Sequence, residues 1–520
     1  MPIYPKKNPG KIMSEKKQIR SALISVYYKD GLEPVVRLLH KFGVALYSTG
    51  GTQTFIESLD IPVQTVESLT SYPSILGGRV KTLHPKVFGG ILGRRHNNSD
   101  QAEMQQYGIP SFDLVIVDLY PFEQTVASGA DHASIIEKID IGGISLIRAG
   151  AKNYQDVLIV PSSAHYPELL KILSENEVSS TMEERMRFAA YAFAMSSHYD
   201  SAIFNYFSGQ TAYQEFRSSV GNAHTLRYGE NPHQKGEFFG NLNEVFEQLH
   251  GKELSYNNLL DLDAAIALIS EFDETTFAII KHNNACGIAS RERLIDAWQA
   301  ALDGDPVSAF GGVLVTNKAV DTETAAEINK LFFEIILAPG YEKNALDLLQ
   351  TKKNRVILQA KSFDFQGKQF RSLLNGVLQQ DKDLKTEVAA DLRVVTHISP
   401  GDEEIQDLLF ANKVVKHSKS NAIVLVKNRQ MAGSGAGQTS RVDALRHAIE
   451  KAGSFGFDLN GAVMASDAFF PFADSVELAH KAGIVSVIQP GGSVRDEDTI
   501  DYCNANGLSM VFTGIRHFKH

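Results

Sequence analysis

In the first 160 residues, short apolar segments alternate with segments whose apolar residues recur at helical spacing. Residues 21–26, 44–48, 62–66 and 113–119 have the length and apolar character of β-strands. Such nearly continuous apolar runs are typical of parallel strands that are buried on both faces. The alternation predicts a doubly wound α/β domain, in which helices cover both faces of a parallel sheet.

Between these strands, capping residues indicate where helices begin. Asp30 is a candidate N-cap, and Pro34 lies in the first turn of the helix that it would start. Gly50 and Gly51 are predicted to open the next helix, which continues through Phe55. Each helix would connect one strand of the sheet to the next.

A long helix and a polar segment end the first half of the chain. Residues 182–206, rich in Ala, Phe and Tyr, predict the helix, and the polar residues after it place a domain boundary near residues 208–221. The second half continues as α/β or α+β. Strands are predicted there at residues 278–281, 312–315, 422–426 and 485–488, and helices at residues 259–270 and 321–333.

The composition is that of a globular protein with an acidic net charge. The 520 residues include 51 Lys and Arg against 61 Asp and Glu, so the net charge is −10. A general nucleic-acid binder would be basic, and we expect no nucleic-acid partner. The two cysteines, Cys286 and Cys503, exclude a disulfide framework and a four-cysteine zinc site, and they fit a cytoplasmic location. The chain lacks a run of about 18 apolar residues, so we expect no membrane span.

Two glycine-containing loops in the first half are candidate anion sites. Residues 48–52, STGGT, join a strand to a helix, where glycines let a phosphate approach the backbone and the helix N-terminus offers free N–H groups. A plain capping turn is the alternative. Residues 77–83 concentrate Arg79, Lys81 and Thr82, which suit a phosphate or a developing oxyanion. Taken alone, that loop is explained more simply as a solvated basic segment.

A third candidate, residues 140–152, places Asp140 at the start of a predicted helix and Lys152 at its end. A carboxylate and an amine could share proton transfers if the fold brought them together. The alternative is an N-capped helix that ends in a surface lysine.

In the second half, Lys281 and His282 lie at the end of a predicted strand. A neighbouring cation tends to keep an imidazole neutral and available as a base. Adjacent strand residues face opposite sides, so both reach one site only if the strand ends there, as Asn283 and Asn284 indicate. The glycine-rich residues 433–438, GSGAGQ, match neither a P-loop nor a dinucleotide fingerprint.

Taken in order, these motifs resemble those of one family of purine-biosynthesis enzymes. That family joins phosphoribosylaminoimidazolecarboxamide formyltransferase to inosine monophosphate cyclohydrolase in one chain. The resemblance runs from about Ser21 to His520. Its motifs are STGGT, GGRVKTLHP, VDLYPFEQTV, EKIDIGGISLIRAGAKN, LRYGENPHQ, LSYNNLLDLDAA, KHNNACG, DPVSAFGG, APGYE, SNAIVLVKN, GAGQTSRVDA, SDAFFPFADSV and IRHFKH.

The resemblance implies two activities and their domains. Formyl would pass from 10-formyltetrahydrofolate, as cosubstrate, to 5-aminoimidazole-4-carboxamide ribonucleotide, and dehydrative ring closure would then give inosine monophosphate. After an N-terminal extension (residues 1–20), a methylglyoxal-synthase-like cyclohydrolase domain would span residues 21–208. A formyltransferase domain of two cytidine-deaminase-like halves without zinc would span residues 209–520. The resemblance also implies a cytoplasmic homodimer with no catalytic metal.

The family pattern also implies roles for individual residues. In the transferase, His282 would be the base beside Lys281, Asn421 would donate to the formyl oxygen, and Asp474 would lie near the folate. Its nucleotide site would be lined by Arg227, Tyr228, Arg441, Phe469 and Arg516. In the cyclohydrolase, Lys152 would serve in proton transfer, with Lys81, Tyr120 and Asp140 around the reacting groups. The nucleotide and its phosphate would be held there by Lys29, Gly50, Gly51, Thr52, Arg79 and Thr82.

The sequence departs from the family pattern at two positions. Asp118 stands where the family usually has Asn, and an ionised Asp can only accept hydrogen bonds. Near an anionic substrate, we expect its carboxylate to be turned away or balanced by Arg79 or Lys81. Ala285 replaces a usual Pro, and the loss of that restricted φ predicts a looser turn.

Overall fold

The computed structural model describes residues 16–213, 215–362 and 367–520. The chain divides into two compact units, Met1–Val220 (the N-terminal unit) and Gly221–His520 (the C-terminal unit). Most of the expected extension, residues 1–20, lies outside the described residues. Its last residues belong to the N-terminal unit, since Lys17 and Gln18 pair with Ser180 and Ser179 and Ile19 is buried.

The N-terminal unit is built on a five-stranded sheet with the order β4-β3-β2-β5-β6. All strand pairs of this sheet are parallel, which confirms the predicted parallel sheet. The strands of this unit are β1 Lys17–Gln18, β2 Ser21–Ser25, β3 Ala45–Ser48, β4 Gln64–Thr65, β5 Leu114–Val117, β6 Leu158–Val160 and β7 Ser179–Ser180. Its helices are α1 Leu32–Lys41, α2 Gly50–Glu57, α3 Val66–Thr70, α4 Pro85–Leu92, α5 Asn98–Gln106, α6 Phe122–Ala127, α7 His132–Ile136, α8 Gly142–Lys152, α9 Tyr166–Glu175 and α10 Met182–Ser208.

Both faces of this sheet are buried. Ala22 and Ile24 of β2 pack into a core that includes residues of α1 and α9. Leu23, which points the other way, packs into a second core with residues of α4 and α8. The alternation explains why β2 reads as a continuous apolar run in the sequence.

Two local predictions in this unit were wrong. Asp30 does not cap α1, because the helix begins after Gly31, which has a φ of 72° and occupies the N-cap position. Residues 62–66 form only the two-residue strand β4. The Thr65 side chain accepts a hydrogen bond from Ser68 N and so starts α3 at once.

The C-terminal unit is built on a twelve-stranded sheet with the order β10-β15-β14-β13-β11-β12-β20-β19-β21-β22-β23-β18. Its strands and those of two small hairpins are β8 Ala223–Thr225, β9 Glu237–Phe239, β10 Phe246–His250, β11 Thr276–Lys281, β12 Asn284–Ser290, β13 Val313–Thr316, β14 Ile335–Ala338, β15 Val356–Ala360, β16 Lys368–Leu373, β17 Gly376–Asp381, β18 Arg393–Val394, β19 Ile423–Lys427, β20 Gln430–Gly435, β21 Ala462–Ser466, β22 Ile484–Gln489 and β23 Ser509–Phe512. The helices are α11 Tyr256–Ile269, α12 Leu294–Gly304, α13 Pro306–Ala309, α14 Thr322–Ile328, α15 Lys343–Leu349, α16 Asp402–Lys416, α17 Arg441–Ser454, α18 Asp474–Lys481 and α19 Asp496–Asn506.

The two halves of this sheet repeat one topology. In each half a helix precedes an antiparallel hairpin, β11–β12 or β19–β20, and three parallel strands follow outward to an antiparallel edge strand. The halves meet where β12 pairs with β20, at Ala289 and Gln430. The predicted helix at residues 321–333 ends earlier, at Ile328, and Phe333 packs into the core before β14.

No helix among the described residues is both long and apolar enough to cross a membrane.

A helix packs directly on the second strand of each hairpin, and glycines permit the approach. A Cβ atom placed on Gly287 would lie 1.9 Å from the carbonyl oxygen of Ala301 in α12. One placed on Gly435 would lie 1.9 Å from the carbonyl oxygen of Ala444 in α17. Backbone atoms cannot rotate away as a side chain can, so these positions require glycine.

Gly435→Ala should therefore destabilise the protein, by on the order of 1–3 kcal/mol as for other overpacked cores. Gly453→Ala in α17 is the matched control, because no atom would lie within 4 Å of the new Cβ. The control should be neutral or stabilised by up to about 1 kcal/mol through helix propensity. Thermal unfolding followed by circular dichroism would show the difference, and equal melting temperatures for the two variants would contradict it.

Candidate active sites

In the N-terminal unit, the loops after β2 and β3 are joined by side chain–backbone hydrogen bonds. Thr52 Oγ1 accepts from Val26 N at 3.1 Å and donates to Val26 O at 2.8 Å. Ser48 Oγ donates to Ile24 O at 2.8 Å. The single hydroxyl donor of Thr52 is thus used within the protein, which leaves only acceptor capacity for a ligand.

Three of the predicted loops converge at this end of the sheet. A Cβ atom placed on Gly50, whose φ is 55°, would lie 3.1 Å from Lys81 Nζ. One placed on Gly142 would lie 2.8 Å from Thr82 Oγ1. Glycine at these positions therefore lets the loop of residues 77–83 approach both α2 and α8.

Asp140 is held at the start of α8 inside this cluster. Its Oδ1 accepts from Gly143 N at 2.6 Å, and its backbone N–H donates to the Tyr199 hydroxyl at 2.7 Å. Burial raises the pKa of Asp140, and the charge of Lys81 works in the opposite direction. The contacts hold a carboxyl group of raised proton affinity near an amine.

Tyr120 follows β5 and is partly exposed. Its ring packs edge-on against Tyr27, with the centroids 5.5 Å apart. Burial raises the pKa of Tyr120, and the carboxylate of Asp140 raises it further. Tyr120 therefore remains a neutral hydroxyl that can donate a hydrogen bond beside Asp140.

Asp118, the departure from the family pattern, is turned towards the backbone. Its two carboxylate oxygens accept from Tyr27 N and, at 3.0 Å, from Tyr28 N, and only 8% of the residue is exposed. Burial raises its pKa, and these hydrogen bonds and the charge of Lys29 oppose the rise. Of the two expected alternatives, these contacts fit the first, a carboxylate turned towards the protein. The second named the wrong cation, since the charge that opposes the rise is that of Lys29.

Lys29 bridges the same segment. Its Nζ donates to the carbonyl oxygens of Val26 and, at 2.9 Å, of Tyr27. Burial lowers the pKa of Lys29, Asp118 raises it, and Lys81 lowers it. These influences place Lys29, Lys81 and Asp118 in one electrostatic neighbourhood.

The structure does not bring Lys152 or Arg79 into this cluster through direct contacts. Lys152 is exposed at the last position of α8, ten residues after Gly142. At 1.5 Å per residue, that separates the two helix ends by about 15 Å. Arg79 is exposed and forms an ion pair with Glu137.

In the C-terminal unit, β11 ends at Lys281, and His282 and Asn283 form the turn into β12. Both turn residues have a positive φ, 51° for His282 and 65° for Asn283, as a type I′ hairpin turn requires. The strand thus ends where the sequence predicted. The turn lets Lys281 and His282 reach one cavity, which also includes Cys286, Asp305 and Lys451 in its lining.

Lys281 and Asn421 are both anchored to backbone carbonyls. Lys281 Nζ donates to Phe310 O. Asn421 Nδ2 donates to Gln438 O at 3.0 Å, and the backbone N–H of Asn421 donates to the same oxygen at 3.1 Å. The Asn421 amide keeps its second N–H available for another acceptor.

The predicted nucleotide residues differ in their contacts. Arg441 donates to Asp467 Oδ1 at 2.7 Å and to Ser466 Oγ at 2.8 Å, and 9% of its side chain is exposed. The guanidinium groups of Arg227 and Arg516 instead lie over the rings of Tyr228 and Phe518, at 5.1 Å and 4.3 Å. Phe469 is partly exposed. Asp474 begins α18, where its Oδ1 accepts from Ser475 N at 2.7 Å.

The carboxyl-terminal residues are held by a buried imidazole. His517 Nδ1 lies 2.6 Å from Asp383 Oδ2, and its Nε2 lies 3.2 Å from both carboxylate oxygens of Glu387. Because a carboxylate only accepts, both ring nitrogens must carry protons. Burial acts to lower the pKa of His517, but the two carboxylates outweigh it and raise the pKa to about 9.

Lys519 joins the same terminal segment to the Asn421 loop. Ser420 N donates to Lys519 O at 3.0 Å, and Lys519 N donates to Ser420 Oγ at 3.1 Å. The terminal segment that carries Arg516 is therefore tied to the residue next to Asn421.

Residue-by-residue interpretation of the motifs had not singled out Tyr120, Asn421 or Arg516, which entered only through the resemblance. It also missed Tyr27, whose backbone N–H contacts Asp118, and Tyr199, whose hydroxyl contacts Asp140. Their partners lie 91 and 59 residues away, so no local spacing signals them.

His517 should make stability depend on pH. Its pKa is raised on folding from 6.5 to about 9, so its contribution is complete below pH 6.5 and is lost as pH rises through about 9. The difference in melting temperature between wild type and His517→Gln should therefore shrink at alkaline pH. Glu387→Gln removes one of the two carboxylates that raise the pKa of His517. In that variant the contribution of His517 to stability should be lost at a lower pH. Calorimetry across pH 6 to 10 measures both, and a difference that stays constant would contradict the assignment.

Among the described residues, no group of three or more His, Cys, Asp and Glu side chains is placed to hold a metal ion.

Comparison with known proteins adds two family matches. The model of the AICARFT/IMPCHase bienzyme matches residues 150–451, and that of the MGS-like domain matches residues 31–145. The N-terminal domain is therefore MGS-like, within a mixed α/β chain.

Relatives match over nearly the whole chain. A bifunctional purine biosynthesis protein PurH from Bacteroides thetaiotaomicron is 64% identical over 508 residues, covering 98% of this chain and 100% of the relative. Proteins of the same name from Persephonella marina and Aquifex aeolicus are each 45% identical, covering 96% of this chain and 100% of each relative. The chain belongs to the AICARFT/IMPCHase bienzyme family.

Proposed function

We propose that each compact unit carries one of the two activities of this family. As a member, the chain is a bifunctional enzyme that performs AICAR formyl transfer and IMP cyclohydrolase ring closure, the last two steps of purine biosynthesis. The N-terminal unit would close the ring through a cyclohydrolase domain of residues 21–208, and a domain of residues 209–520 would transfer formyl. The observation that carries this division is that Lys81, Tyr120 and Asp140 converge in the first unit, whereas the Lys281–His282 turn belongs to the second.

Formyl transfer requires a base, because the lone pair of the substrate amine is delocalised into the imidazole carboxamide. His282 would accept the proton of that amine as its nitrogen attacks the formyl carbon of 10-formyltetrahydrofolate. The free N–H of the Asn421 amide would stabilise the oxyanion, with Lys281 beside the base. Collapse of the tetrahedral intermediate breaks the bond to the folate nitrogen, which takes up a proton and leaves.

Ring closure requires proton movement at both reacting groups. The carboxamide nitrogen attacks the formyl carbon, loses a proton, and water leaves. Asp140, whose pKa is raised by burial, can exchange a proton at this step, and Lys81 and the neutral hydroxyl of Tyr120 can stabilise the developing oxyanion. Lys152 keeps the proton-transfer role that the resemblance implies only as a prediction.

Substrate binding is proposed on the same pattern. In the N-terminal unit, the nucleotide and its phosphate would be held by Lys29, Gly50, Gly51, Thr52, Arg79 and Thr82. In the C-terminal unit, they would be held by Arg227, Tyr228, Arg441, Phe469 and Arg516, with Asp474 near the folate. Arginine suits the phosphate because its forked donors bind two oxygens. The ion pair with Asp467 occupies part of the Arg441 fork, so Arg227 and Arg516 would contribute more of the charge.

We also propose the architecture of the large sheet, the oligomeric state and the location of the protein. The repeated topology of the large sheet supports two similar halves, which we propose to be cytidine-deaminase-like and to work without zinc. The exposed apolar residues of the β16–β17 hairpin, including the fully exposed Leu374 and the largely exposed Leu378, support a homodimer. A cytoplasmic location fits the two free cysteines.

Lys81→Ala should lower the kcat of cyclisation by about 10²-fold or more and leave formyl transfer within about twofold. Lys152→Ala is the matched comparison, since it removes an amine from the far end of α8. A loss as large as that for Lys81 would show that Lys152 acts at the reacting groups. A loss below about tenfold would show that its distance from Asp140 excludes it. Equal loss of both activities in either variant would indicate misfolding.

His282→Ala should lower the kcat of formyl transfer by about 10²–10⁴-fold and leave cyclisation unchanged. Nucleotide affinity, measured by calorimetry on the same preparation, should change little, because the proposed binding charge comes from arginines. A variant that binds nucleotide far more weakly but turns over normally at saturation would make His282 a binding residue instead.

A further inference from the structure

The repeat in the large sheet provides an internal comparison for the His282 turn. Hairpin β11–β12 and hairpin β19–β20 occupy equivalent places in the strand order, each preceded by a helix, α11 or α16. The two-residue turn of the second hairpin is Asn428–Arg429. Their φ values, 55° and 53°, match those of His282 and Asn283.

Both turns are held by a carboxylate from the preceding helix. Asp261 of α11 accepts from Asn283 N through Oδ1 at 2.8 Å. The side-chain amide of Asn283, oriented with its nitrogen towards α11, also donates to Asp261 Oδ1, at 3.1 Å. Asp407 of α16 accepts from Asn428 N at 2.7 Å and from Arg429 N at 2.6 Å. One structural device therefore occurs twice in the unit.

The carboxylates compensate for an uncommon backbone conformation. A residue other than glycine at positive φ loses on the order of 1 kcal/mol relative to the common regions. A hydrogen bond between a carboxylate and a backbone N–H contributes about as much or more. Each carboxylate thus offsets the conformational cost of its turn.

The two turns differ in whether their side chains line a cavity. His282 is exposed and lines the cavity that also contains Lys281, Cys286 and Asp305. Of the described residues that line this cavity, none belongs to the Asn428–Arg429 turn. A carboxylate therefore holds both turns, but only the turn of the first half carries a side chain that lines the cavity.

We propose that Asp261 is a positioning residue for formyl transfer, which holds the His282–Asn283 turn so that the imidazole is directed into the cavity. The inference rests on the proposed role of His282 as the base. Asp261 acts through the Asn283 N–H and makes no contact with substrate in this account. Its removal should affect turnover rather than nucleotide binding, because a small misplacement of a reacting group lowers the rate steeply.

Asp261→Ala should lower the kcat of formyl transfer about 10- to 100-fold, with the nucleotide KM changed less than about threefold and cyclisation unchanged. Asp261→Asn retains a carbonyl acceptor for Asn283 N and should keep activity within about threefold. If the alanine variant does not fold, Asp261→Ser replaces it, since its oxygen lies one bond closer to the backbone and should not reach Asn283. An unchanged kcat in Asp261→Ala, or in Asp261→Ser, would overturn the proposal.

Asp407→Ala is the matched control. Asp407→Ala removes two hydrogen bonds to backbone N–H groups, and Asp261→Ala removes the hydrogen bonds to Asn283. The melting temperature of Asp407→Ala should therefore fall at least as far as that of Asp261→Ala. Its kcat for formyl transfer should nevertheless stay within about threefold. Equal loss of kcat in the two variants would show that Asp261 supports only the fold.

A double variant separates this inference from the proposed function. If Asp261 acts through His282, adding Asp261→Ala to His282→Ala should lower kcat no further. A further loss as large as in the wild-type background would overturn the positioning role. If His282→Ala alone retains full turnover, the proposed base is wrong, and the Asp261 inference is overturned with it. A severe loss in His282→Ala beside normal turnover in Asp261→Ala would overturn the inference alone.

Discussion

His282 and Asn283, both at positive φ, form the turn between β11 and β12. The carboxylate of Asp261 accepts a hydrogen bond from the backbone N–H of Asn283. The hairpin lies near the centre of the twelve-stranded sheet, next to the β12–β20 junction that joins its halves. Lys281 and His282 reach their cavity only because the strand ends there. This two-residue turn therefore joins two central strands of the sheet and also carries the side chain that is proposed to act as the base.

In the N-terminal unit too, carboxylates accept hydrogen bonds from backbone N–H groups in loops. Asp118 accepts two backbone N–H groups after β2, and Asp140 accepts one at the start of α8. Both carboxylates are buried, which raises their pKa values, and lysines oppose that rise. Buried acceptors thus order the loops that a parallel sheet leaves at its carboxyl edge, and the same burial raises the proton affinity of Asp140, which is proposed to exchange a proton in ring closure.

The last residues of the chain place a second constraint on the C-terminal unit. His517, charged between Asp383 and Glu387, and Lys519, paired with Ser420, hold the segment that contains Arg516 against the loop of Asn421. Two residues proposed to handle substrate are therefore ordered by contacts between segments about 100 or more residues apart. On the proposed assignment, a defect in the last residues of the chain would disturb formyl transfer.

The sequence by itself determined part of the strand set, including β2, β3 and β5 of the parallel sheet, the end of β11 and, through the order of its motifs, the family. These depend on local apolar runs, on period and on short motifs, all of which are contiguous in the chain. Only the tertiary structure decided that Lys29 balances Asp118, that Asp467 pairs with Arg441, and that Asp261 holds the His282 turn. Hydrogen bonds and ion pairs between distant residues depend on how elements pack, and no local spacing encodes that packing.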